Sequence, residues 1–211
     1  MRKTLLINNL LAMIYFSKKY KNIMGKIIIM YGLPAAGKTT QARLIAEKYG
    51  LYHFAMGEKL REQIASGSEL GQKIKSTVDS GLLVSDELIL EVLRDVKNQA
   101  IETGIIFDGF PRIIDQAILL DKMLEEVGLE VGAMCLLKIT SEEVDKRIND
   151  RIATQNRGDD KDKSVVENRM NVFLKESLPL SEHYKAKNKF YELNGEEPIE
   201  EIFTKICEII D

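Results

Sequence analysis

Gly32-Leu33-Pro34-Ala35-Ala36-Gly37-Lys38-Thr39 satisfies the strict spacing G-x-x-x-x-G-K-[ST]. Small residues there let backbone N–H groups wrap a polyphosphate closely, and a helix opening at the end of the loop adds the positive potential of its N-terminus. Lys38 is then placed to follow the terminal phosphates, and Thr39 or Thr40 to offer a hydroxyl to Mg²⁺. The plain alternative is a glycine-rich turn with an incidental lysine. The setting weighs against it, because the motif follows the apolar run Lys26–Tyr31 and precedes the helical pattern Ala42–Tyr49. Nucleoside triphosphate binding is the expected chemistry.

Such a loop needs a strand behind it and a helix in front. From Lys26 the chain alternates short apolar runs with helical patterns, the signature of βαβ units and a parallel sheet. Five strands are predicted at Lys26–Tyr31, Tyr52–Ala55, Gly104–Asp108, Ala133–Lys138 and Lys189–Asn194, most of them continuously apolar, as strands covered on both faces are. Helices are predicted at Ala42–Tyr49, Glu58–Ala65, Glu69–Ser80 and Asp86–Ala100. The last three fill a gap too long for one crossover, so they imply a small helical insert above the sheet, with Gly67 and Gly81 at its breaks. Thr140-x-x-Glu143 and Ser164-x-x-Glu167 each read as a capping box opening a helix. The polar stretch Ile152–Lys163 between those helices is a candidate flap over a site.

The 211 residues fit one domain, with 45% hydrophobic and 30% charged residues. A net charge of −3 lacks the basic excess of a nucleic-acid binder. Two cysteines, Cys135 and Cys207, are too few for a disulfide framework and point to a reducing cytoplasm. Residues 1–23 differ in kind: they hold five basic residues and no acid, leaving 25 basic against 33 acidic for the remainder. Their apolar run, broken by Asn8 and Asn9, is shorter than the roughly 20 residues of a membrane span. We read 1–23 as a non-core extension, with the domain running over 24–211 and translation starting at Met24. His53 and His183 read as packing or surface residues, and Met30, Met123, Met134 and Met170 as core filler.

The loop GLPAAGKTTQA (Gly32–Ala42), followed by Asp108-Gly109-Phe110-Pro111-Arg112 and later by Arg157-Gly158-Asp159-Asp160, resembles the adenylate kinase family from about Met24 to the C-terminus. The resemblance implies a P-loop α/β three-layer fold with a five-stranded parallel sheet, a helical monophosphate-binding insert over about 56–85 and a short lid over about 152–163. It implies a nucleoside monophosphate kinase, reversibly passing the terminal phosphoryl group of Mg-ATP to AMP to give two ADP, working as a monomer with no nucleic-acid or membrane partner. Phosphoryl transfer between polyanions needs charge neutralisation and alignment more than covalent chemistry, so arginine density is what such a site requires. By resemblance the catalytic set is Lys38, Arg112, Arg147, Arg151, Arg157 and Arg169. ATP falls to Gly32, Pro34, Ala35, Ala36, Gly37, Lys38, Thr39, Thr40, Arg147 and Arg151. AMP falls to Met56, Arg61, Val84, Gly109, Arg112, Gln116, Arg157 and Arg169. Asp108 holds Mg²⁺ through water, and Asp159 and Asp160 latch the lid on arginines. With no Cys or His between Arg151 and Arg157, no structural zinc is expected there.

The chain departs from the family pattern at several points. Ala35 and Thr39 stand where glycine is usual, and alanine suits that place only if its φ stays negative. Met56 stands where threonine is usual and cannot supply a hydroxyl. Gln116, four residues after Arg112, offers a donor and an acceptor that complement adenine. A kinase for CMP or UMP and a non-catalytic nucleotide-binding module remain the alternatives.

Overall fold

The structure, a computed structural model, describes residues 26–94, 96–155 and 162–211. Five parallel strands, β1 (Ile27–Gly32), β2 (Tyr52–Ala55), β3 (Ile105–Asp108), β4 (Ala133–Lys138) and β5 (Phe190–Asn194), form one sheet in the order β2-β3-β1-β4-β5. β1 lies between β3 and β4, with Met30 level with Asp108 on one side and Cys135 on the other. Order reverses about β1, so a crevice opens at the carboxyl ends of the strands, where the phosphate loop leaves β1.

Alternation along the buried strands serves two cores. Ile27, Ile29, Tyr31, Ile105 and Phe107 face one side, where α4 (Asp86–Val92), α5 (Val96–Thr103), α6 (Ile114–Glu125) and α8 (Lys163–Ala186) supply Ile89, Ala100, Leu120, Leu180 and Tyr184. Ile28, Met30, Ile106 and Cys135 face the other, against Ile45 of α1 (Lys38–Tyr49), Val144 of α7 (Ser141–Gln155) and Ile206 of α9 (Ile199–Ile210). Helices on both faces make three layers. Helices α2 (Met56–Ala65) and α3 (Glu69–Asp79) complete the run between β2 and β3. They pack so closely that a Cβ at Gly71 would lie 2.0 Å from the Gln63 carbonyl oxygen.

The predicted elements need three corrections. The helix expected over Asp86–Ala100 is two, α4 and α5, separated at Leu93. Ile89, Leu93, Val96 and Ala100 are all buried at helical spacing, so periodicity could not see the break. The cap of α8 is Asp162 and not Ser164: its carboxylate accepts from the Ser164 N–H at 2.9 Å and from the Ser164 hydroxyl at 2.7 Å. The Thr140 box is half formed. The Thr140 hydroxyl accepts from the Glu143 N–H at 3.3 Å, but the Thr140 N–H donates to Glu196 at 2.7 Å, because the chain returning from β5 brings a better placed carboxylate. Residues 1–23, Arg157, Asp159 and Asp160 lie outside the described residues. No described helix is long and apolar enough to cross a membrane.

Candidate active site

The phosphate loop ends in a helix with no side chain on its N-terminus. The N-cap of α1 is Gly37, at φ 94° and ψ 5°, and no side chain bonds the first-turn N–H groups, so they remain available to an anion. Gly32, at φ 143°, is a close approach: a Cβ there would lie 2.6 Å from the Leu137 carbonyl oxygen on β4. Ala35 has a φ of 61°, opposite to the expected negative value. The turn that places the Ala36 N–H on the Leu33 carbonyl at 3.2 Å carries the chain through the left-handed region regardless of the residue there. The methyl group tolerates that at a cost of about 1–2 kcal/mol.

Lys38 folds back over the loop, its Nζ donating to the carbonyls of Gly32 at 3.0 Å and Leu33 at 2.7 Å. Burial lowers its pKa to about 8; Asp108 opposes that, while Arg112, Arg151 and Arg169 reinforce it. Asp108, at the end of β3, accepts from the Thr39 hydroxyl at 2.5 Å. Burial works to protonate its carboxyl, but His53, the Lys38 ammonium and the Thr39 hydroxyl outweigh that and hold it below the usual carboxylate range. His53 Nε2 stands 3.7 Å from the carboxylate, beyond hydrogen-bond distance. An ionised carboxylate with a hydroxyl beside it, facing a phosphate cradle, fits a hard cation that keeps most of its water. Among the described residues no three His, Cys, Asp or Glu side chains could cage a metal by themselves.

These groups line one cavity of about 890 Å³, a volume suited to small-molecule ligands. It brings together the loop from Gly32 to Thr40 with Arg61, Asp108, Gly109, Arg112, Arg147, Arg151 and Arg169. Each arginine is delivered by a different local device. Arg112 leaves the DGFPR turn, where its Nε donates to the Gly109 carbonyl at 3.0 Å; burial and the Arg169 charge lower its pKa. Arg147 and Arg151 share one face of α7, with Arg147 Nε on Glu143 at 2.7 Å. Arg61 curls over Gly57, where a Cβ would meet its Nη1 at 3.3 Å. Arg169, on α8, packs beside Gly81.

Met56, Val84, Gly109 and Gln116 line a smaller adjoining recess with Leu60, Leu82, Leu83, Ile89, Phe110 and Arg112. Gln116 is 2% exposed, and its Oε1 accepts from the Arg112 N–H at 2.9 Å. Its amide was expected to present both donor and acceptor to a base; one acceptor lone pair is already spent on the turn. Sequence reasoning missed Tyr31, Arg43, Asp150, Thr154 and Phe173, which also line the cavity. It also missed the proximity of His53 to Asp108. That becomes visible only with the register, because Ala55 pairs with Asp108 and His53 lies two residues before it on the same face.

A family model described as adenylate kinase matches residues 30–189. Curated proteins called adenylate kinase from Bacteroides fragilis and Bacteroides thetaiotaomicron are each 38% identical over 185 residues, 87% of this chain and 97% of the relative. The protein called adenylate kinase 1 from Synechocystis is 36% identical over 188 residues, 89% and 98% of the two chains.

Proposed function

The chain belongs to the adenylate kinase family and is a nucleoside monophosphate kinase that passes the terminal phosphoryl group of ATP to AMP, giving two ADP; we propose how its residues divide that work. One observation supports the division: a single cavity brings a phosphate loop at one end together with arginines from the insert, the DGFPR turn and two helices at the other. The first-turn N–H groups of α1, with Gly32, Pro34, Ala35, Ala36, Gly37 and Thr40, cradle the donor phosphates, and Lys38 follows the phosphoryl group in transit. Arg61 and Arg112 grip the acceptor phosphate. Arg147, Arg151 and Arg169 neutralise charge as it spreads over the equatorial oxygens, with Arg157 assigned to the same task. The Thr39 hydroxyl and, through water, the Asp108 carboxylate would hold Mg²⁺, which would supply further charge neutralisation.

The insert over 56–85 takes AMP, and its base enters the recess between Met56, Val84 and Gln116. There the Gln116 Nε2 and its remaining lone pair read the adenine edge, and apolar side chains replace water around the ring. The segment 152–163 acts as the lid, with Asp159 and Asp160 as its latch. The family resemblance supports a monomer, and two buried free cysteines support a reducing cytoplasm. None of the relatives reported favours CMP or UMP, or a module without turnover. The test is turnover of Mg-ATP against AMP, CMP, UMP and GMP, before and after EDTA. The expected result is highest kcat/KM for AMP, eroded by Gln116→Ala, and loss of activity on chelation. A higher kcat/KM for CMP or UMP would overturn the assignment of the recess, and full activity in EDTA would overturn that of Asp108 and Thr39.

A further inference from the structure

The cavity wall carries a hydroxyl that the division above leaves unused. Tyr31 is the last residue but one of β1, directly before Gly32 of the phosphate loop, and it lines the cavity with Arg112, Arg169 and Phe173. Only 4% of the residue is exposed, and its ring is held against Phe173 with centroids 5.1 Å apart. Its Oη is buried without a hydrogen-bond partner among the described residues. A phenylalanine would fill the same space without burying an unpaired donor. The hydroxyl therefore points to a partner acquired in another state of the enzyme.

Two charged groups act on it, the Arg112 guanidinium and the Glu176 carboxylate of α8. Burial keeps the phenol protonated, so it has one proton to give and lone pairs to receive. A guanidinium such as that of Arg112 can only donate, and a carboxylate such as that of Glu176 can only accept. Arg112 donates its Nε–H to the Gly109 carbonyl, and its charge is repelled by Arg169 and Arg61 against the attraction of Asp108. An acceptor phosphate would cancel that repulsion and let the guanidinium settle.

We propose that Tyr31 is a positioning residue for Arg112: in the nucleotide-loaded enzyme its oxygen accepts from the Arg112 guanidinium while its O–H donates to Glu176, fixing the guanidinium against the acceptor phosphate. The proposal rests on the assignment of Arg112 to AMP. It is tested with Tyr31→Phe and Glu176→Leu, assayed beside the wild type for kcat, KM of each nucleotide and ligand-free Tm. Losing a hydrogen bond to a charged group should lower kcat/KM for AMP about tenfold. KM for ATP should stay within twofold and the ligand-free Tm of Tyr31→Phe should be unchanged or higher, since an unpaired buried hydroxyl has gone. Values for AMP within twofold of wild type would overturn the proposal. So would a loss shared equally by ATP or accompanied by a lower Tm in Tyr31→Phe, which is packing damage, or a loss in Tyr31→Phe that Glu176→Leu does not reproduce. Failure of the wild type to use AMP would instead overturn the reading of function.

Discussion

Raising the pH from 7 to 9 should weaken binding of Mg-ATP about tenfold without weakening the fold through the same group. The reasoning rests on Lys38, whose pKa in the ligand-free protein is lowered by burial to about 8. At pH 7 about nine in ten free sites carry the ammonium, and at pH 9 about one in eleven, by the ordinary titration of a single group. Bound phosphates restore the charged form, so binding from the neutral form must include a proton uptake that grows harder as pH rises. The ratio of the two charged fractions is about tenfold in apparent Kd. The neighbours do not offset it: Asp108 is held below the usual carboxylate range, guanidinium groups do not titrate over this interval, and a terminal phosphate has lost its last proton by about pH 7. The sign for stability is opposite. Lys38 titrates near 10.4 when unfolded, so between about pH 8 and 10.4 the native state binds fewer protons, and its contribution to stability rises with pH. Calorimetric titration of Mg-ATP at several pH values, in buffers of different ionisation enthalpy, gives both Kd and the protons taken up. A Kd that is flat from pH 7 to 9, with no proton uptake at pH 9, would refute the reasoning.

Ala35→Gly should stabilise the ligand-free protein. It relieves about 1–2 kcal/mol of left-handed strain and costs about 0.5–1 kcal/mol of chain freedom, so thermal denaturation should show Tm up by about 1–4 °C. Lys38→Ala and Arg112→Ala should each cut kcat by at least about 10³ with the circular dichroism of the fold retained, because each removes charge stabilisation from the transferring group. Gly71→Ala should destabilise by about 2–3 kcal/mol in chemical denaturation and raise KM for AMP more than KM for ATP, since its Cβ would meet the Gln63 backbone and push α2 from α3.

Local signals were legible in the chain because their physics is local. Most of the five strands are marked by apolar runs of strand length, and the phosphate loop by small residues and a lysine whose spacing follows from backbone wrapping a polyphosphate. That loop, together with DGFPR, carried the resemblance from which the family and its reaction were read. What the sequence left open depends on partners distant along the chain. Whether Thr140 closes a reciprocal box depended on Glu196, which reaches it only after β5 joins the sheet edge. The break at Leu93 is hidden because one buried stripe serves one helix or two equally well. His53 becomes a neighbour of Asp108 only through the β2–β3 register, and Gln116 spends an acceptor on Arg112 only through the shape of the turn. Tyr31 looks in sequence like any aromatic at the end of a core strand. Packing of α8 against β1 seals its hydroxyl beneath the arginines, because burial is a property of what lies opposite a residue and not of the residue itself.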